Sequence, residues 1–101
     1  MLSLNDIDAG ELGRVLGRRI RELRLVQDWS RDTLAARAGV SPASLKRFET
    51  TGRASLDLVL RVAQVLGRGP EIERLFLPLP AATLAELERQ VAAHKRQRGR
   101  G

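Results

Sequence analysis

Two stretches of the chain concentrate groups able to hold a polyanion. Between residues 31 and 53, Arg31, Arg37, Lys46, Arg47 and Arg53 stand against Asp32 and Glu49 alone. Between 81 and 101, Arg89, Lys95, Arg96, Arg98 and Arg100 stand against Glu86 and Glu88. The remaining segments balance their charges, so the net charge of +6 on 101 residues resides in these two places. Cations crowded together attract nucleic acid more strongly than the same charge spread evenly. Groups suited to catalysis are scarce: there is no cysteine and one histidine, His94, which reads as a solvated residue beside Lys95. Without a glycine-rich phosphate loop or acids at metal-ligand spacing, the residues point to binding rather than to an enzyme, and to no cofactor or metal.

The elements that position the first basic stretch read as helices. Asp8, with Glu11 three residues later, caps a helix expected over about residues 9–26, with Leu12, Leu16, Ile20 and Leu23 at helical spacing. Gly13 and Gly17 lie inside it, each costing up to about 1 kcal/mol, and read as tolerated glycines, with a close helix approach as the alternative. Trp29 reads as a plug for the core. Ser30 caps a second helix through Thr33, Leu34, Ala35 and Ala38 that stops at Gly39, and Ser41 caps a third with Pro42 in its first position. So short a joint turns the chain sharply and presents the third helix across the second. Leu45 and Phe48 face inward from the third helix and leave Pro42, Ala43, Lys46 and Arg47 to solvent; Thr50, Thr51 and Gly52 break it.

Ser55 caps a fourth helix carrying Leu56, Val59, Leu60, Ala63 and Leu66 and closing at Gly67. Gly69 and Pro70 open a shorter fifth containing Ile72, Leu75 and Phe76, and Leu77 to Pro80 form a proline-bounded linker. Thr83 with Glu86 caps a final helix whose apolar stripe, Leu84, Leu87 and Val91, is narrow. Such a helix packs back on its domain, pairs with its twin, or forms against a partner. After His94 no apolar residue remains, and the basic tail is expected to be disordered alone. With few aromatics and many aliphatics the core is built from packed helices, giving an all-α protein: one helical domain over 1–80, then a C-terminal helix and tail over 81–101. No leader and no apolar run of roughly 18 residues is seen, so a soluble, cytoplasmic protein is expected.

The run from Leu23 to Gly67 resembles the lambda-type and Xre-type helix-turn-helix repressors. The likeness is carried by Arg24, Trp29-Ser30, Leu34-Ala35, Ala38-Gly39-Val40-Ser41, Leu45, Phe48-Glu49, Gly52 and the leucine-rich fourth helix ending in Ala63 and Leu66-Gly67. The resemblance implies a five-helix domain whose third helix enters the major groove of double-stranded DNA. By position it makes Ser41, Pro42, Ala43, Ser44, Lys46 and Arg47 the base-reading residues. Arg47 is the foremost, because a guanidinium bonds bidentately to the O6 and N7 of guanine. It places Ser30, Arg31, Thr50 and Arg53 at phosphates, which fix register without reading sequence. It pairs Arg24 with Glu49 as a structural ion pair, and it implies a homodimer on a near-palindromic operator.

Many such repressors have a single residue between that glutamate and the next glycine, whereas Thr50 and Thr51 both intervene here. The stretch Arg47 to Gly52, the block Ser55 to Gly67, Leu75-Phe76-Leu77-Pro78 and the basic Lys95-Arg96-Gln97-Arg98 look like the HipB-like antitoxins encoded beside HipA-type kinase toxins. That narrower likeness implies an antitoxin and autorepressor partnered by a kinase, with Lys95, Arg96, Arg98 and Arg100 as a basic tail. The alternatives are a stand-alone helix-turn-helix regulator, or a protein-interaction module that keeps the fold but does not bind DNA. RNA binding is disfavoured because no aromatic platform for stacked bases is visible.

Overall fold

The computed structural model describes residues 8–80 and 83–99, with Arg98 and Gly99 described by backbone alone. Among the described residues there are helices and no strand: α1 (Ala9–Val26), α2 (Arg31–Ala38), α3 (Pro42–Thr51), α4 (Leu56–Val65), α5 (Gly69–Glu73) and α6 (Leu84–Gly99). The starts lie where short polar side chains satisfy the first free N–H groups. Asp8 accepts from the Glu11 amide at 2.8 Å, Ser30 from Thr33 at 3.1 Å, Ser41 from Ser44 at 3.1 Å and Ser55 from Leu58 at 3.1 Å. Gly39 and Gly52 close α2 and α3 at φ +69° and +78°, left-handed conformations that L side chains rarely adopt.

Ile20 of α1, Leu34, Ala35 and Ala38 of α2, Leu45 and Phe48 of α3, and Leu58 and Val62 of α4 form one buried cluster. Trp29 packs against it, half-buried, with the Arg37 guanidinium 4.5 Å above its ring, a cation–π arrangement. The stripe of α1 that faces α3 is not the expected leucine row. It runs through Gly13, Gly17, Ile20 and Arg24, while Leu12 and Leu16 stay about half exposed. A Cβ on Gly17 would overlap the Phe48 carbonyl, and one on Gly13 would sit 2.7 Å from the Gly52 oxygen. These glycines are therefore not merely tolerated: they let the backbones of α1 and α3 touch.

Three other expectations are corrected. α3 continues through Thr50 and Thr51, because their hydroxyls donate to the Lys46 and Arg47 carbonyls at 2.8 and 2.7 Å instead of breaking the helix. α5 ends at Glu73, ahead of Leu75 and Phe76; Phe76 has φ +60° and is 95% exposed. The tail expected to be disordered continues α6 as far as Gly99, an outcome favoured by the helix propensity of Lys, Arg and Gln and by cations near a helix C-terminus. The main packing joins α1 to α3, α2 to α3 and α4, and α4 to α5, and α6 is not among these pairs. The radius of gyration, 17.8 Å, exceeds the roughly 13 Å of a compact chain of this length.

Candidate nucleic-acid interface

α3 is held from behind by Leu45, Phe48 and Glu49, all buried, and everything on its other side is open to solvent. Ser41, Pro42, Ala43, Ser44, Lys46 and Arg47 are all exposed, so the residues expected to read bases share one uncovered surface. Ten residues of helix span about 15 Å, a length that fits the major groove. The Ser41 hydroxyl is already engaged in the cap and donates to the Ser44 hydroxyl at 2.7 Å. Positioning is therefore its folded role, which leaves Lys46 and Arg47 as the long, mobile groups on the face.

Behind α3 lies a buried charge network. Glu49 is 4% exposed and Arg24 6%. The Arg24 Nε and Nη2 donate to the two Glu49 carboxylate oxygens at 2.8 and 2.9 Å, a bidentate pair, and its Nη1 donates to the Trp29 carbonyl at 2.8 Å. Arg31 adds a third bond, from Nε to Glu49 Oε1 at 2.9 Å. Burial pushes the Glu49 carboxyl upward, but the bonds and charges of Arg24 and Arg31 outweigh it and hold the group below the usual carboxylate range. One carboxylate facing two guanidinium groups leaves an excess positive charge. Arg31 is one-third exposed, so that charge reaches the surface there.

The same corner forms an open groove of about 500 Å³. Arg21 and Arg24 of α1, Ser30, Arg31 and Asp32 at the start of α2, and Pro42, Ala43 and Lys46 of α3 line it. The N-terminus of α2 and several cations converge here, an arrangement suited to phosphate oxygens. Arg21 was missed by reading the sequence, because its segment is neutral overall; its spacing of three from Arg24 was the available signal.

The expected phosphate residues divide. Arg31 lies in this groove but is tied to Glu49 as well, and Arg53 is exposed beyond α3. The Ser30 hydroxyl caps α2 and donates to Thr33 Oγ1 at 3.0 Å, and the Thr50 hydroxyl donates to the Lys46 carbonyl, so both protons point back into the protein. In the tail, Lys95 and Arg96 are exposed on α6, distant in sequence from the site. The Arg98 side chain and Arg100 lie outside the described residues.

Two short helices joined by a sharp turn, the second presenting an uncovered basic face, define a DNA-binding protein of the helix-turn-helix class. A family model described as a helix-turn-helix domain matches residues 15–76, more than half of the chain, and the chain belongs to that family. The matched segment stops before α6. No curated protein matches the sequence. No helix among the described residues is long and apolar enough to cross a membrane.

Proposed function

We propose that this protein is a sequence-specific transcriptional repressor that binds double-stranded DNA as a homodimer at its own promoter, acting in the cytoplasm by binding rather than by catalysis. The observation that carries this reading is the uncovered face of α3, with Lys46 and Arg47 projecting from a helix fixed behind by buried Phe48 and Glu49. One short helix contacts too few base pairs for a specific site. Two copies on half-sites about 34–36 Å apart supply the missing contacts. The test is a salt-dependent mobility-shift assay with promoter DNA. Arg47→Ala is expected to cost about 1–3 kcal/mol at the cognate site and to relax preference at one base pair per half-site. Equal losses on cognate and random DNA would reduce Arg47 to a phosphate ligand.

The finer reading is an antitoxin that also binds a HipA-type kinase. It is supported by the likeness to HipB-like antitoxins and by the exposure of Leu75, Phe76, Leu77 and Leu79, a run of apolar residues on an irregular segment. Co-purification with the kinase of an adjacent reading frame tests it, with Phe76→Glu as the variant expected to lose the contact. Without such a gene or such a complex, the stand-alone regulator remains.

A further inference from the structure

One hydroxyl ties the last turn of α3 to the first residue beyond it. Thr51 Oγ1 donates to the Arg47 carbonyl at 2.7 Å and accepts from the Arg53 amide at 3.2 Å, so a single side chain clips Arg53 back onto the helix. The residue between them is fixed from the other side. Gly52 donates to the Phe48 carbonyl at 2.9 Å, and its Cα lies so close to α1 that a Cβ there would overlap the backbone of Gly13 and Arg14. The chain therefore leaves α3 between two supports, although every residue from Arg53 to Asp57 is exposed.

What Arg53 offers at that point is an unneutralised cation. Among the described residues its guanidinium has no hydrogen bond or ion pair. The acids four residues to either side are engaged elsewhere, Glu49 with Arg24 and Arg31 and Asp57 with Arg61, and Glu11 of α1 is bonded to Arg14. α3 is about 15 Å long and the major groove about 12 Å wide, so a helix seated there brings one end against a sugar–phosphate strand. In such docking the N-terminal residues face the bases, which leaves the strand to the C-terminal end. We propose that Thr51 is a positioning residue for DNA: through the Arg53 amide it fixes the point from which the Arg53 guanidinium meets a backbone phosphate, without touching DNA itself. Because the backbone is held before DNA arrives, less freedom is lost on contact. The inference rests on the repressor reading and adds to it a contact that fixes register at the far end of α3.

The test compares the full chain and its variants on the promoter duplex and on a random duplex of the same length across a salt series. Arg53→Ala is expected to lower the log–log salt slope by about one unit on both. Thr51→Val loses the hydroxyl but keeps the shape and, with a similar helix propensity at an exposed position, the fold. It is expected to bind both duplexes about three- to tenfold more weakly, the worth of one hydrogen bond, and Thr51→Ser to bind as the wild type does. In the Arg53→Ala background Thr51→Val is expected to cost nothing further, so the two losses do not add. An equal loss in both backgrounds makes Thr51 a general support of the fold and overturns the proposal, as does no loss, or an unchanged slope for Arg53→Ala. Hydrogen exchange of the Arg53 amide reads the clip without DNA. It quickens in Thr51→Val and not in Thr51→Ser; an unchanged rate in Thr51→Val also overturns the proposal. A wild-type chain that binds neither duplex sinks the repressor reading itself, and Thr51 then has no contact to position.

Discussion

α3 and α6 both expose basic residues, and they differ in what lies behind them. The inner side of α3 is settled by Leu45 and Phe48 in the core, by Glu49 in a buried ion network, and by direct contact with the backbone of α1. α6 has Leu84 at 71% exposure, Leu87 and Val91 about half exposed, and a side-chain bond to the linker. A cationic face becomes a reader only when its orientation is fixed; without that it supplies attraction but not register. The contrast turns on burial rather than on charge.

The sharpest way to break the comparison is to remove what fixes α3. Glu49→Ala strands two guanidinium groups, one of them buried, and should cost on the order of 3–5 kcal/mol in denaturant unfolding. A loss as small as that expected for exposed α6 residues, about 0.5 kcal/mol, would show that the network does not hold the helix. The same group gives the pH dependence its sign. Because the folded carboxyl titrates below the ordinary 4.5, its contribution is complete above that value and fades as pH falls through the lower folded value. Glu49→Gln should lack this part of the acid loss when unfolding midpoints are compared across that range.

Gly17→Ala should destabilise by about 1–3 kcal/mol, because the added methyl meets the Phe48 carbonyl and forces α1 from α3. Gly10→Ala on the same helix meets only the Asp8 carboxylate at 3.4 Å, and should be neutral or stabilising by up to about 1 kcal/mol. Equal thermal shifts for the two would remove the close approach from the account. Arg31→Ala should weaken binding to all DNA sequences alike and reduce the log–log salt slope by about one unit. Deleting residues 95–101 should change thermal stability least, since the exposed Lys95 and Arg96 bury nothing, while DNA affinity falls and becomes less salt-sensitive. An unchanged slope would take the arm out of the DNA interface.

The helix starts were legible because caps are local: Asp8, Ser30, Ser41 and Ser55 each act within three residues. The inward pair Leu45 and Phe48 was legible for the same reason. The α1 stripe was not, because a contact made by Gly13 and Gly17 leaves no apolar side chain to count, and the neighbouring leucines supplied a pattern one position away. Nothing in the spacing revealed that Arg31 joins Arg24 on Glu49, since residues 18 apart are brought together only by packing α2 on α3. The end of α5 was placed too late because Leu75 and Phe76 look like core residues; the chain turns outward before them.

The glycine contact between α1 and α3 has a bearing on how this protein could change its target. α3 is seated backbone against backbone, with no side chain between the two helices at that point to alter the distance. Pro42, Ala43, Lys46 and Arg47 face away from that seat and support nothing behind them. Substitutions among these four therefore leave the seat intact, and on the repressor reading proposed above a lineage could exchange one operator for another without first having to restabilise its fold. What anchors the helix and what the helix reads are inherited separately.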